Sequence, residues 1–285
     1  MRNKIISSLA GAAFSFAASG FAFAADMPVK APPPPPPAPV PTWTGFYAGV
    51  QVGGGWSNEA VNYSANDPLS AGLFSGGVFG DSGVVSGYRI PQSGLVGGFE
   101  AGYNWQAGSN WLLGLEADFS FAGMSGTASG TSSSLGSGFT QTTTAEQRTD
   151  WYGTVRGRLG WLATPNLLLF GTGGFAYGRV DGSASYVSQI GFAINPGVII
   201  ACAANVPCFT GSSSTISTGW TAGGGAEWML DQHWSVKIEY QFVDLGTETV
   251  RIIAAPFSPG MIAPSFNAAF RDSFNVVRLG LNYRF

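Results

Sequence analysis

Nine ionisable residues carry most of the chemistry available to this chain: Glu100, Glu116, Asp118, Arg156, Arg158, Glu227, Lys237, Glu239 and Arg278. Each stands on the polar side of a stretch in which apolar and polar residues alternate, so the nine share one face of a sheet. Both signs are present. In a poorly solvated space such charges must pair, because an uncompensated buried charge costs about 3–5 kcal/mol. The expected chemistry is therefore electrostatic, with Arg156, Arg158, Lys237 and Arg278 neutralising Glu100, Glu116, Glu227 and Glu239.

Catalysis is poorly served, and no enzyme activity is expected. The single histidine, His233, lies beside Asp231 in a short turn, where a structural role is the expectation. Gly171-Thr172-Gly173-Gly174-Phe175-Ala176 fits a G-x-G-x-x-A pattern, but no helical pattern follows it, so these glycines read as part of a crowded strand. Glu59, Asp67 and Asp81 are too dispersed for a calcium loop, and no cofactor or metal is expected. With 13 basic and 16 acidic residues and a formal charge of -3, the chain offers no basic surface, which excludes nucleic acid as a partner. Cys202 and Cys208 sit close together in a long Ser- and Gly-rich segment, and a disulfide between them should constrain that segment by about 2 kcal/mol.

What positions these residues is a run of strands. Only 10% of the chain is charged and 42 residues are glycine, which argues against both disorder and long helices. Eight alternating stretches are expected as strands: Thr44 to Ser57, Gln92 to Gln106, Trp111 to Gly123, Gln147 to Leu162, Leu167 to Asp181, Ile216 to Met229, Trp234 to Gly246 and Asp272 to Phe285. At roughly 12 to 16 residues each, they are long enough to cross a bilayer at a tilt. Leu167 to Asp181 is apolar on both faces at Leu167 to Phe170, so its register is open. Tight turns (Ala107 to Asn110, Ala163 to Asn166, Leu230 to His233) alternate with long loops (Asn58 to Pro91, Met124 to Glu146, Gly182 to Thr215, Thr247 to Arg271). That layout predicts an all-β, eight-stranded antiparallel up-and-down transmembrane barrel, with short turns and both termini in the periplasm and long loops outside.

The sign of the alternation selects a membrane barrel over a soluble one. The polar face is too charged to be a dry core, whereas lipid accepts an apolar outer face. Slipping Gln147 to Leu162 by one residue would put Arg156 and Arg158 into lipid at about 2–4 kcal/mol each. Trp43, Trp105, Trp111, Trp161, Trp228, Trp234 and Phe285 stand at strand ends beside the short turns, where an interfacial girdle is expected. Ahead of the barrel, Arg2 and Lys4 precede an apolar stretch ending at Ala22-Phe23-Ala24, the pattern of a signal peptide over residues 1–24. Residues 25–43 form a proline-rich periplasmic linker, in which Pro32 to Pro41 extends roughly 30 Å as a polyproline spacer. The barrel occupies 44–285.

Several motifs add a resemblance. Ala25-Asp26-Met27-Pro28-Val29-Lys30 with its proline tract, Trp43-Thr44-Gly45-Phe46-Tyr47, Gly102-Tyr103-Asn104-Trp105, Gly171 to Gly178 and the ending Leu279-Gly280-Leu281-Asn282-Tyr283-Arg284-Phe285 together cover nearly the whole mature chain. In these the chain resembles the small outer-membrane surface-antigen, porin-like barrels of alphaproteobacteria, related in architecture to the OmpA membrane domain. The resemblance implies an eight-stranded barrel in the outer membrane, embedded in lipid and lipopolysaccharide, and a C-terminal signal at Tyr283 and Phe285 read by the barrel-assembly machinery.

Eight strands enclose an interior just wide enough for side chains to fill, so the expected function is structural and surface-exposed, with an ion-paired, largely plugged lumen. The alternative is a narrow porin-like channel, for which the inward glycines Gly49, Gly53, Gly98, Gly102, Gly223 and Gly225 would leave room. A third reading is adhesion through Phe74, Phe79, Ile252, Phe257 and Phe266 in the loops, with the host surface as partner. Peptidoglycan is the contact considered for the proline tract.

Overall fold

The computed structural model describes residues 42–68, 70–71, 84–133, 140–189, 192–194, 200–254 and 264–285, with side chains left out at 192–194 and 200–202. The segment expected as a signal peptide, the proline tract, Phe74, Phe79, Asp81 and Phe257 lie outside these residues. Eight long strands close into one barrel: β1 (Gly45–Ala65), β2 (Tyr88–Ala107), β3 (Trp111–Ser133), β4 (Thr140–Thr164), β5 (Leu167–Ser188), β8 (Pro207–Met229), β9 (Trp234–Ala254) and β10 (Ser265–Arg284). A small hairpin, β6 (Phe192–Ile194) with β7 (Ile200–Cys202), interrupts the connection between β5 and β8. Every barrel strand pairs antiparallel with its chain neighbours, and β10 returns to β1.

On the outside, an apolar belt runs between two aromatic rings. On β4 it extends from Trp161 to Trp151, on β3 from Trp111 to Phe121, and on β1 from Phe46 to Trp56. Ten residues at about 3.4 Å each, tilted by roughly 40°, span a height of about 26 Å, the thickness of an outer-membrane hydrocarbon layer. The lower ring lies beside the short turns and contains Trp105, Trp111, Trp161, Trp228, Trp234, Tyr283 and Phe285. The upper ring was not anticipated. Phe119 stacks on Trp151 at 5.4 Å, Trp151 meets Tyr177 at 6.1 Å, and Trp220 meets Phe242 at 5.3 Å.

Three expectations need correction. The strands run to 20–25 residues, because much of what reads as long loop continues as ladder: Met124–Ser133 pairs with Thr140–Thr149 well above the belt. Above the upper ring the outer solvent is water, so the pattern reverses, with Thr127, Ser129, Thr142 and Thr144 outward and an apolar core inward. Ile252 and Phe266, read as exposed loop residues, are each 1% exposed within that core. Trp43 is likewise not in the lipid-facing girdle. It is 1% exposed and turns into the lower mouth, where its indole Nε1 donates to the Pro165 carbonyl at 3.0 Å.

The register left open in β5 is now fixed. Leu168, Phe170, Thr172 and Ala176 face the lumen, and Leu169, Gly171, Gly173 and Phe175 face lipid.

Candidate functional site

The lumen is stacked in layers. At the short-turn end Trp43, Leu112, Leu162, Leu168, Phe170 and Met229 form an apolar floor. The Arg284 guanidinium lies 4.8 Å from the Trp43 ring and also donates to the Thr42 carbonyl, so the chain entering the barrel is clasped by its last strand. Higher up, Val96, Met124, Tyr152, Val180, Val243, Leu245, Phe274 and Val276 form an apolar ceiling. All nine charged residues singled out in the sequence are buried in the lumen.

Neighbouring strands supply some pairs. Glu116 stands opposite Arg156 across β3 and β4, and Glu239 opposite Arg278 across β9 and β10. Others, such as Arg156–Glu239, Arg158–Glu227, Lys237–Glu100 and Arg278–Asp118, form across the lumen. Arg156 reaches Glu116, Glu239 and Asp118, the last at 3.1 Å. Arg158 binds Glu227, and its guanidinium caps the Phe170 ring at 4.0 Å. Arg278 holds Glu239 at 2.9 Å and Asp118 at 3.3 Å. Lys237 Nζ sits among Glu100 at 2.5 Å, Glu239 at 3.2 Å and Glu116 at 3.3 Å. Those three carboxylates lie close enough together to hold a cation, and the ammonium occupies that place.

Sequence reading missed further partners of the network. The Tyr47 hydroxyl donates to Glu116 at 2.5 Å, Ser235 to Glu227 at 2.5 Å, and the Asn282 amide to Glu227 at 3.3 Å. Tyr47 was legible in principle, because it has the opposite parity to lipid-facing Phe46.

The inward glycines stand beside bulkier neighbours. Gly49 stands opposite Glu100, Gly53 opposite Arg278, Gly102 opposite Glu116 and Gly225 opposite Glu239. A Cβ at Gly53 or Gly98 would run into the backbone of the next strand, and one at Gly102 into the Tyr47 hydroxyl. The glycines accommodate the long charged side chains beside them.

Outside the lumen, His233 stacks on Tyr283 with ring centres 5.6 Å apart. Asp231 accepts the His233 and Trp234 amides at 2.7 and 2.8 Å, and these bonds hold its carboxyl below the usual range. The pair closes a turn and presents no nucleophile. Asp67 accepts the Ser70 hydroxyl at 2.7 Å, and Glu59 accepts that of Ser273. Cys208 is buried and is not a free thiol, whereas the Cys202 side chain lies outside the described residues. A thiol assay on denatured, unreduced protein should find no free sulfhydryl; two would remove the Cys202–Cys208 pairing.

A closed barrel with an apolar belt and a charged lumen narrows the identity to one class of protein, and a family model for the outer membrane protein β-barrel domain matches residues 12–285. The chain belongs to that family. This outer membrane β-barrel protein is 34% identical over 288 residues to the 31 kDa outer-membrane immunogenic protein of Brucella melitensis biotype 1, with both chains covered completely. It is 25% identical over 244 residues to the 22 kDa outer membrane protein of Rhizobium leguminosarum bv. viciae, covering 86% of this chain and 79% of that one. Among solved structures, OprG from Pseudomonas aeruginosa aligns at 11% identity with a TM-score of 0.40, covering 85% of this outer membrane β-barrel and 97% of the other.

Proposed function

We propose that this outer membrane β-barrel is a non-conducting structural and surface-display protein, with its long-loop end outside the cell and its short turns in the periplasm. The observation that carries the reading is the layered lumen. Every charged side chain of the network is at most 4% exposed, and the layer is closed by an apolar floor below and an apolar ceiling above. An ion crossing it would have to leave water twice at apolar layers and displace paired side chains between them. The occupied space beside the glycines favours this reading over a narrow channel.

The same reading gives each surface a partner. Outer-membrane lipid covers the belt, and lipopolysaccharide surrounds the upper wall. The barrel-assembly machinery reads the last strand, whose Tyr283 and Phe285 rings meet edge-on at 5.2 Å on the lipid side. Peptidoglycan contact falls to the proline tract, and host-surface contact to the long-loop end. No catalytic role is included, since the single His233 is engaged in a stack and its neighbour Asp231 in capping.

Planar-bilayer recording of the refolded protein should stay silent. Discrete steps whose ion selectivity changes when Arg156 and Arg158 are neutralised would instead establish the narrow channel.

A further inference from the structure

Between the ceiling of the lumen and the apolar core above it lies a second buried polar level, which the charged network does not reach. Asp272 on β10 is 4% exposed and Glu248 on β9 is 8% exposed. The Gln147 amide nitrogen from β4 donates to one Asp272 oxygen and to the Arg271 carbonyl. The other Asp272 oxygen and both Glu248 oxygens are buried without a partner. Two carboxylates left in this way have a large desolvation cost and repel each other unless something neutralises them.

The neighbouring charges do not do so. Asp244 on β9 is engaged by Arg271, 3.0 Å away on the outer side, and by the Gly246 amide at 2.9 Å. Glu59 on β1 takes the Ser273 hydroxyl at 2.5 Å. Asp244 adds negative charge near Asp272 rather than relieving it. Burial first, then the charges of Glu248 and Asp244, push the Asp272 carboxyl up to about 8.

The place is also the mechanical weak point of the wall. β8 and β9 pair from Met229 and Ser235 up to Trp220 and Asp244, then part, and pair again only at Thr210 and Ile253. Over Gly211–Gly219 no β8 residue is buried, on either face. Along the facing stretch Leu245–Ile252, β9 is therefore held by β10 and by its own inward side chains. Leu245 is 3% exposed and Val250 and Ile252 are 1% exposed, and Glu248 is the fourth inward residue. Gly246, at φ 90°, begins this stretch beside a bulge between Arg271 and Ser273.

We propose that Asp272, set against Glu248, forms a proton-held latch: while Asp272 keeps its proton, Leu245–Ile252 stays packed on the upper core, and loss of that proton to solvent frees the stretch at the β8–β9 seam. The sign follows from linkage. A carboxyl whose folded pKa is raised contributes stability that is complete below its unfolded value and is lost as pH rises through the folded value. The upper seam is thus closed in acid and loosened in mild alkali, while the lumen network in the belt is untouched.

Hydrogen exchange of the full chain in lipid nanodiscs, corrected for the intrinsic pH dependence of amide exchange, tests this. Protection of Leu245–Ile252 should fall by about tenfold or more between about pH 6 and about pH 9, with no matching fall in the belt. Asp272→Asn should remove the pH dependence and Glu248→Gln should reduce it, because Asp272 then keeps its burial but loses its nearest charged neighbour; either variant that folds decides the matter. Equal protection at both pH values in the wild type, a fall that persists in folded Asp272→Asn, or a fall undiminished in folded Glu248→Gln overturns the latch. Calcium restoring protection at the higher pH also overturns it, by making a cation rather than a proton the ligand.

Discussion

Arg156→Met should destabilise the barrel by about 3–5 kcal/mol, the largest effect expected of any single lumen substitution. Arg156 is the hub of the network, fully buried and bonded to Glu116, Glu239 and Asp118 at once. Methionine fills much of its volume but leaves carboxylates short of a cation in a space sealed by apolar layers. Part of the loss should return in a double variant with Glu239→Gln, since removing the stranded charge lifts its desolvation cost and neighbouring substitutions do not add. Reversible urea unfolding from lipid vesicles measures both. A loss below about 1 kcal/mol would match exposed ion pairs, and would mean that water reaches the lumen after all.

The second large effect lies on the opposite face of the same strand. Val155→Arg, halfway between Trp151 and Trp161 and 53% exposed, should cost about 2–4 kcal/mol, because its new charge stands at mid-bilayer. Thr142→Arg, outward on β4 but above the upper ring, should stay within about 0.5 kcal/mol. In a water-soluble barrel both sites would be surface positions and would tolerate arginine alike. Equal effects would therefore put the belt in the wrong place.

Within the belt the sequence was legible because lipid imposes one rule on every strand. Alternation located all eight strands, their turns and the face bearing the nine charges. Partners were not legible. Lys237 and Glu100 are 137 residues apart on strands that are not neighbours, and only closure of the barrel brings them together. Above the belt the rule itself changes. Asp150 is an extra residue in β4 and Gly246 lies in the irregular stretch of β9, so the alternation there loses its phase. Ser, Thr and Gly facing water then have the composition of a loop, and Ile252 and Phe266 look stranded on a surface they do not occupy. Trp43 misled for a similar reason: its position beside a strand end fits a girdle, but one residue type serves both the interface and a plug. The glycines were read as space, and only register places Gly49, Gly53, Gly102 and Gly225 beside charged side chains.

The reversal of faces along the strands also divides the molecule between two solvents. The upper core is hidden from water and is held by a force that fades on cooling and weakens in urea. The belt is held by lipid, which neither treatment removes. Chilled or mildly denatured membranes should therefore contain molecules melted above the bilayer and intact within it, and a single melting temperature does not describe this chain.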